Sequence, residues 1–200
     1  RLVWGNDASV LVGDYLFAAA FSKLVRIGNL SLLEVMSLVT NLMAKGEILQ
    51  LTNANKFPNQ EEYLEIIFHK TACLFAAAAK MGAILGGADL AEQNTLYEYG
   101  KEIGLAFQIV DDALDYVSAD TSQSGKTVGI DFQERKITLP LEYLLRISDA
   151  KDQKRVYEML DTPLILEEHV QEVIAMMEKY EVIPYTLEVA GIYAKQAQQR

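Results

Sequence analysis

Apolar residues recur at intervals of three and four along most of the chain, and no stretch keeps the strict alternation of a half-buried strand. This pattern predicts an all-α fold, a bundle of long, mostly antiparallel helices joined by short turns. The predicted helices cover residues 8–27, 31–52, 60–86, 90–118, 138–148, 152–161, 165–180 and 184–199. The breaks at residues 28–29, 56–59, 86–89 and 161–163 contain glycine, proline or asparagine, and none has the composition of a domain linker. We therefore expect a single helical domain over residues 1–200.

Two pairs of glycines are spaced by four residues, Gly82 with Gly86 and Gly100 with Gly104. This spacing removes side chains from one face of a helix and lets a neighbouring helix approach closely. We interpret both pairs as packing features rather than as parts of a binding site.

Half of the residues are hydrophobic and 23% are charged, which is enough apolar material for one substantial core. The net charge of −10, without a long stripe of lysine and arginine, argues against a nucleic-acid partner. Cys73 is the single cysteine, so an intramolecular disulfide is impossible, and we expect a cytoplasmic, reducing environment. No segment reaches the roughly 20 uninterrupted apolar residues that a bilayer crossing needs. The apolar stretches 10–21 and 73–79 are therefore expected to be core helices.

Three aspartates, Asp111, Asp112 and Asp115, interrupt the apolar run of residues 103–117. On a helix Asp111 and Asp115 share one face, and Asp112 lies about 100° further round, where it can brace the flank. A salt-bridged helix face is the plainer interpretation, but the neighbouring residues are too apolar for a solvated face. Mg²⁺ binds through one or two carboxylates and completes its shell with water and phosphate oxygens. We therefore predict an Mg²⁺ site at these aspartates, and with it a phosphorylated ligand.

Three lysines are candidates for binding the phosphate. Lys126 lies between two glycines on a long polar loop, residues 118–135, which directly follows the aspartates. Lys70 interrupts an apolar helix, where a lysine either extends to solvent or meets an anion, and Lys136 begins the helix after the loop. An ammonium on a flexible stem can bind a phosphate as a point charge. The alternative for Lys126 is an ordinary solvated loop lysine.

Carboxylates, lysines and an apolar interior together predict a site that holds a diphosphate at its mouth and a hydrocarbon inside. Mg²⁺ would stabilise a departing diphosphate as a Lewis acid, and the lysines would stabilise the growing negative charge. Ionisation of an allylic diphosphate needs both kinds of support.

Several motifs in the chain match one known family together. They are Gly13-Asp14-Tyr15-Leu16, Gly46-Glu47 with Gln50, Lys70-Thr71-Ala72, Phe107-Gln108, Asp111-Asp112-Ala113-Leu114-Asp115-Tyr116, and Gly125-Lys126 through Asp131 to Lys136-Ile137-Thr138-Leu139-Pro140. The chain resembles the trans-type (all-E) polyprenyl diphosphate synthases, most of all the long-chain members that make octaprenyl or decaprenyl diphosphate. The resemblance covers essentially the whole chain and implies the isoprenoid-synthase type of helical bundle, with a central apolar cavity.

The resemblance also implies roles for individual residues. The three aspartates match the family's second aspartate-rich motif, with Asp111 and Asp115 nearest the metal ions. Lys70 and Lys126 would hold the allylic diphosphate, and Lys136 and Asp131 would organise the loop behind the metals. Gln108 and Thr71 match residues near the allylic group and the developing cation; helix packing or capping is their alternative. A homodimer that acts on an allylic prenyl diphosphate and isopentenyl diphosphate is implied as well.

The chain departs from the family pattern in three respects. The family's first aspartate-rich motif and the arginine pair after it would precede Arg1, and the family's final helices would follow Arg200. Arg135 stands where the family usually has glycine. We therefore expect an internal piece, truncated at both ends, that is inactive by itself.

The leading hypothesis is a prenyltransferase that condenses an allylic diphosphate with isopentenyl diphosphate. A non-catalytic regulatory subunit that pairs with an active partner is a second hypothesis, and a terpene cyclase or hydrolase with the same metal–diphosphate chemistry is a third. The lysines at positions 126 and 136 favour chain elongation over cyclisation.

Overall fold

The computed structural model describes residues 5–52, 57–117 and 128–200, and within these ranges every regular element is helical. In chain order the elements are α1 (Gly5–Ile27), α2 (Leu30–Thr52), α3 (Gln60–Ile67), a π-helical turn (Phe68–Ala72), α4 (Cys73–Leu85), α5 (Leu90–Leu114), α6 (Ile130–Gln133), α7 (Leu139–Ile147), α8 (Ala150–Asp161), α9 (Glu167–Lys179) and α10 (Val182–Gln198). The predicted all-α class is confirmed.

The single helix predicted over residues 60–86 is divided by the π-helical turn into α3 and α4. At its start, the Asn59 side chain accepts the Glu62 N–H at 3.0 Å, and the Glu62 carboxylate accepts the Asn59 N–H at 2.9 Å. The π-helical turn lies where α2 crosses most closely, because a Cβ on Gly46 would come within 2.8 Å of the His69 Cβ. Such turns often occur at functional sites, and this one contains Lys70 and Thr71.

The loop predicted over residues 118–135 is helical in part of its described stretch. The short helix α6 begins after Gly129, which has φ +73°, and its Phe132 side chain is completely buried. The preceding helix α5 ends at Leu114, four residues earlier than predicted, and the Gly129 N–H donates to the Asp115 carbonyl at 2.7 Å. A buried aromatic side chain therefore packs a short helix against the core in a stretch that was predicted to be a loop.

Helix α5 is central in the bundle and packs mainly against α4 and α10. A Cβ on Gly100 would lie 2.5 Å from the Phe75 carbonyl oxygen, and one on Gly104 would lie 2.6 Å from the Ala72 Cα. This glycine pair is therefore a packing feature, as predicted. The prediction was wrong for Gly82, where a Cβ would have no neighbour within 4 Å.

The buried apolar side chains form two main clusters on either side of α7. One cluster joins α3, α5 and α10, and its buried members include Tyr63, Ile67, Leu105, Ile109, Leu139 and Val189. The other joins α6, α7, α8 and α9, and its buried members include Phe132, Leu141, Leu144, Val156, Met159, Val170 and Val173. The C-terminal ends of α5 and α6 lie where these clusters meet.

Helix α1 contradicts the prediction that residues 10–21 form a core helix, because no residue of α1 is buried. Its main contacts in the described part of the chain are with α2. By length and composition α1 is also apolar enough to cross a membrane, which the search for uninterrupted apolar runs overlooked because Asp14 divides the stretch. Core helices of soluble proteins meet the same criterion, so these properties do not assign α1 to a membrane. The second stretch, 73–79, is a core helix as predicted, with Cys73, Ala76 and Ala77 buried.

Candidate active site

A cavity of about 320 Å³ opens between α3, the π-helical turn, α5 and the segment that joins α6 to α7. Five of the predicted site residues line it, namely Lys70, Gln108, Asp111, Asp112 and Lys136. Tyr63, Asp131 and Glu134 line it as well. The structure therefore brings together carboxylates and lysines that are up to 66 residues apart in the sequence, from Lys70 to Lys136.

Lys70 extends from the π-helical turn towards α2. Its ammonium donates to the Gln50 Oε1 at 3.0 Å and lies 3.9 Å from a Glu47 carboxylate oxygen. The main partner is a neutral amide, and an ammonium has three hydrogens to donate. Lys70 therefore retains charge and donor capacity for an anion in the cavity.

A chain of side-chain hydrogen bonds runs through the site. The Thr71 hydroxyl donates to the Gln108 Oε1 at 2.7 Å, and the Gln108 amide donates to the Asp112 Oδ1 at 2.8 Å. The Tyr63 hydroxyl donates to the other Asp112 oxygen at 2.6 Å. Four side chains from α3, the π-helical turn and α5 are thus held in one arrangement.

Asp112 is buried, with 5% of its surface exposed. Burial raises the pKa of its carboxyl from 3.8 to about 7, although the hydrogen bonds from Tyr63 and Gln108 lower it. The charges of Asp131 and Asp111 raise this pKa further. Because both of its oxygens already accept hydrogen bonds, Asp112 is better suited to bracing the helix flank than to binding a metal directly.

Asp111 and Asp115 have different surroundings. Asp111 is exposed and lines the cavity. Asp115 is half-buried, and its Oδ2 accepts the Asp131 N–H at 2.9 Å, which connects the end of α5 to α6. Within the described residues, no three histidine, cysteine, aspartate or glutamate side chains are close enough to hold a metal ion as a group. The predicted metal ligands therefore lie in one region but do not converge, and their role stays a prediction.

We call Asp111, Asp112, Asp115 and Asp131 the acidic corner. Burial raises the pKa of Asp131 from 3.8 to about 6, and the Asp115 charge adds to this effect, whereas Lys136 opposes it. These carboxylates repel one another in a partly desolvated region, and Lys136 alone among the side chains bonded to them carries positive charge in the described part of the chain. Oxygen donors with surplus negative charge are the kind of ligand that a hard divalent cation prefers.

Lys136 lies between two carboxylates at the edge of the cavity. Its ammonium is 2.5 Å from a Glu134 oxygen and 3.6 Å from an Asp131 oxygen. Burial alone would lower the pKa of Lys136, but the two carboxylates together raise it. Lys136 therefore stays charged beside the acidic corner, while the predicted Lys126 lies outside the described residues.

A model of the polyprenyl synthetase family matches residues 1–177. The chain belongs to this family. The octaprenyl diphosphate synthase of Haemophilus influenzae is 38% identical to it over 195 residues, which are 97% of this chain and 59% of the relative. The octaprenyl diphosphate synthase of Escherichia coli is 49% identical over 140 residues, 69% of this chain and 43% of the relative.

Solved structures of polyprenyl synthases have the same fold as this family member. The polyprenyl synthase from Caulobacter crescentus, complexed with calcium and isoprenyl diphosphate, matches with a TM-score of 0.92 and 39% identity over 99% of this chain and 60% of that chain. A decaprenyl diphosphate synthase from Rhodobacter capsulatus matches with a TM-score of 0.82 and 35% identity, over 99% of this chain and 61% of that one. This family member thus spans about 60% of the length of these structures.

Sequence reasoning missed Tyr63 as a residue of this candidate site. Tyr63 is 2% exposed and is the direct partner of Asp112. Its distance of seven residues from Lys70 corresponds to two helical turns and puts both on one face, which is the signal that could have found it. Tyr63 was overlooked because an aromatic residue in an apolar helix is more often a core residue than a site residue.

Proposed function

We propose that the protein to which this chain belongs is a prenyltransferase that joins an allylic prenyl diphosphate to isopentenyl diphosphate and so makes a polyprenyl diphosphate. The observation that carries the proposal is the cavity in which Lys70 and Lys136 share the lining with Asp111 and Asp112. An anion-binding and a cation-binding set of side chains in one cavity suit a ligand that is a metal diphosphate. The match to the polyprenyl synthetase family supports the same chemistry.

In this proposal Asp111 and Asp115 hold Mg²⁺, with Asp112 as the bracing residue. The metal would supply Lewis-acid stabilisation of the leaving diphosphate. Lys70, Lys136 and Lys126 would donate to its oxygens as the allylic carbon–oxygen bond breaks. Negative charge that develops on the leaving group would then be met by ammonium groups, of which those of Lys70 and Lys136 line the described cavity.

The hydroxyl of Thr71 and the amide of Gln108 are the groups that we assign to the allylic end. The Thr71 hydroxyl is hydrogen-bonded to Gln108, and the Gln108 amide is hydrogen-bonded to the buried Asp112. The dipoles of both groups therefore cannot turn freely. The allylic cation would alkylate the terminal double bond of isopentenyl diphosphate, and loss of a proton to the released diphosphate would complete the condensation. Fixed dipoles beside a forming cation lower its energy without reorganisation.

The hydrocarbon part of the substrate needs an apolar space. A cavity of about 460 Å³ lies between α2, α4 and α5, and most of its lining is apolar, including Val35, Val39, Leu42 and Ala77. We assign it to the growing chain. The prenyl tail would then lie among apolar side chains while the diphosphate stays at the acidic corner.

A cytoplasmic homodimer completes the proposal. Several apolar side chains of α1 are at least half exposed, which supports a further protein surface against this helix; they are Val10, Leu11, Val12, Tyr15, Leu16, Phe17, Val25 and Ile27. A second copy of the chain is the partner that we propose. Sedimentation equilibrium would give twice the monomer mass, and a monomer at micromolar concentration would contradict it.

The function is tested by Mg²⁺-dependent incorporation of radiolabelled isopentenyl diphosphate, with the protein at the length that its gene encodes. Asp111→Asn should lower the rate about a hundredfold, the usual cost of losing one group that stabilises charge in the transition state. The control is Glu158→Gln on α8, whose carboxylate forms surface ion pairs with Lys154 and Arg155 in the described structure, at 3.6 and 3.9 Å, and lines neither of the two cavities assigned to the substrate. An unmodified protein that incorporates no label, or an Asp111→Asn variant with full activity, would reject the proposal.

A further inference from the structure

Arg135 has an unusual backbone conformation. Its φ is +56°, in the left-handed region that favours glycine. A residue with a Cβ is held in this region only when its surroundings outweigh the strain. The contacts of the Arg135 side chain show what those surroundings are.

The guanidinium of Arg135 binds the carbonyl groups at the C-terminal end of α8. Its Nε donates to the Leu160 carbonyl at 3.1 Å, and one of its terminal nitrogens donates to the carbonyls of Thr162 and Pro163, the latter at 3.3 Å. The last carbonyls of a helix have no partner within the helix. Leu160 lies in the last turn of α8, Thr162 is its C-cap residue, and Pro163 follows the helix, so the planar guanidinium binds one carbonyl of the helix and two just beyond it.

The chain reverses direction at this residue. Lys136, the next residue, has its ammonium against Asp131 and Glu134 and lines the cavity of the acidic corner. Arg135 lines the same cavity, but its guanidinium binds carbonyl groups at the end of α8, whereas the Lys136 ammonium lies against Asp131 and Glu134. A fixed Arg135 fixes the position from which Lys136 extends.

Residues 129–136 also form a hydrogen bond with Asp115, at the end of α5. The Asp131 N–H donates to the Asp115 carboxylate at 2.9 Å, and the Lys136 N–H donates to the Asp131 carbonyl at 2.8 Å. Residues 129–136 are therefore connected to α5 through Asp115 and to α8 through Arg135. Gly129 and Phe132 pack against the α8–α9 part of the core, so we expect the segment to keep its fold when a single hydrogen-bonding side chain is removed.

We propose that Arg135 is a positioning residue, which connects residues 129–136 to the end of α8 so that the Asp131 amide and the Lys136 ammonium are held at the diphosphate end of the site. The inference rests on the proposed function for the identity of the ligand. A glycine here would accept the backbone conformation but provide none of the three hydrogen bonds. This chain thus has a fixed connection where a glycine would leave the segment free to move.

The test combines amide hydrogen exchange with ligand binding. In Arg135→Ala and Arg135→Gly the amides of Asp131 and Lys136 should exchange about tenfold faster, and Arg135→Lys should recover part of the protection. Affinity for inorganic diphosphate in the presence of Mg²⁺, measured by calorimetry, should fall about tenfold in the first two variants. In the full-length enzyme KM for the allylic diphosphate should rise more than kcat falls.

Arg155→Ala is the matched control. Arg155 binds Glu172 through two nitrogens at 2.7 Å, so its loss removes a connection between α8 and α9 without touching residues 129–136. It should leave the exchange of Asp131 and the affinity for diphosphate unchanged. Equal effects of the two arginines on affinity would mean that Arg135 only stabilises the fold, and would overturn the positioning role.

The outcomes separate this inference from the proposed function. Unchanged exchange at Asp131 in Arg135→Ala would overturn the inference, whatever the unmodified protein binds. An unmodified protein that binds no diphosphate in the presence of Mg²⁺ would overturn the proposed function, and the ligand-positioning role with it.

Discussion

Helices α1 and α5 have a similar length and a similar apolar pattern, but their surroundings in the structure differ. They have 23 and 25 residues, and in both an apolar run is interrupted by aspartate. Eight residues of α5 are buried, including Glu102 and Asp112, whereas no residue of α1 is buried. Apolar periodicity therefore shows which face of a helix would gain from burial, but not which surface will cover it.

The glycines of the two helices differ in the same way. Gly104 of α5 lies directly against the backbone of Ala72, while Gly13 of α1 has no atom within 4 Å of its Cβ position. In α5 the missing side chain brings the π-helical turn close to the helix, and so brings Thr71 within reach of Gln108. The site therefore depends on close packing that α1 lacks in the described structure.

The largest expected difference between these helices is the change in unfolding free energy when a glycine is replaced by alanine. Gly104→Ala should lower the free energy of unfolding by about 2 kcal/mol, because backbone must move to make room. Gly13→Ala should raise it by about 0.5 kcal/mol, because alanine favours the helix and meets nothing. Urea denaturation measures both, and equal effects would show that α1 is as closely packed as α5.

The buried aspartate of α5 should also make stability depend on pH. The carboxyl of Asp112 has a pKa of about 7 when folded and 3.8 as its ordinary value, so between these values the folded state binds the extra proton. The contribution of Asp112 to stability is then fully present below about pH 4 and is lost as the pH rises towards 7, by about 1 to 2 kcal/mol between pH 5 and pH 7 without metal. Urea titrations at several pH values would show this slope.

Asp112→Asn should flatten most of that slope, because the titrating group is removed. A smaller fall should remain from Asp131, whose folded pKa is about 6. Added Mg²⁺ should oppose the fall in the unmodified protein, since a cation offsets the repulsion among carboxylates. A stability that increases from pH 5 to pH 7 in the absence of metal would contradict the burial of Asp112.

The smallest expected difference is the change in unfolding free energy when a tyrosine loses its hydroxyl group. Tyr63→Phe removes a 2.6 Å hydrogen bond from the buried Asp112 carboxylate and should cost about 1 kcal/mol of unfolding free energy. Tyr15→Phe on α1, where 71% of the tyrosine is exposed, should change stability by less than about 0.5 kcal/mol. Thermal unfolding would compare the two variants, and a neutral Tyr63→Phe would mean that water replaces the hydroxyl.

The predicted helices were found because their apolar spacing is long and regular, and each has a counterpart in the structure. The π-helical turn was not predicted, since its five residues continue a helical pattern and its position depends on contact with Gly46. Helix α6 was not predicted either, because one buried phenylalanine in a polar stretch produces no periodic signal. Tyr63, one of the two partners of Asp112, escaped prediction because it is 49 residues away in the sequence.

The sequence by itself determined the helical class, the family, and the residue types that can bind a metal diphosphate, because local periodicity and short motifs encode these properties. Tertiary structure alone decided which aspartate is buried, which lysine keeps free donors, and which long apolar helix is covered. Those outcomes depend on desolvation and on contacts between segments far apart in the chain. An aspartate in α5 and an aspartate in α1 have the same side chain, and only their surroundings make them chemically different.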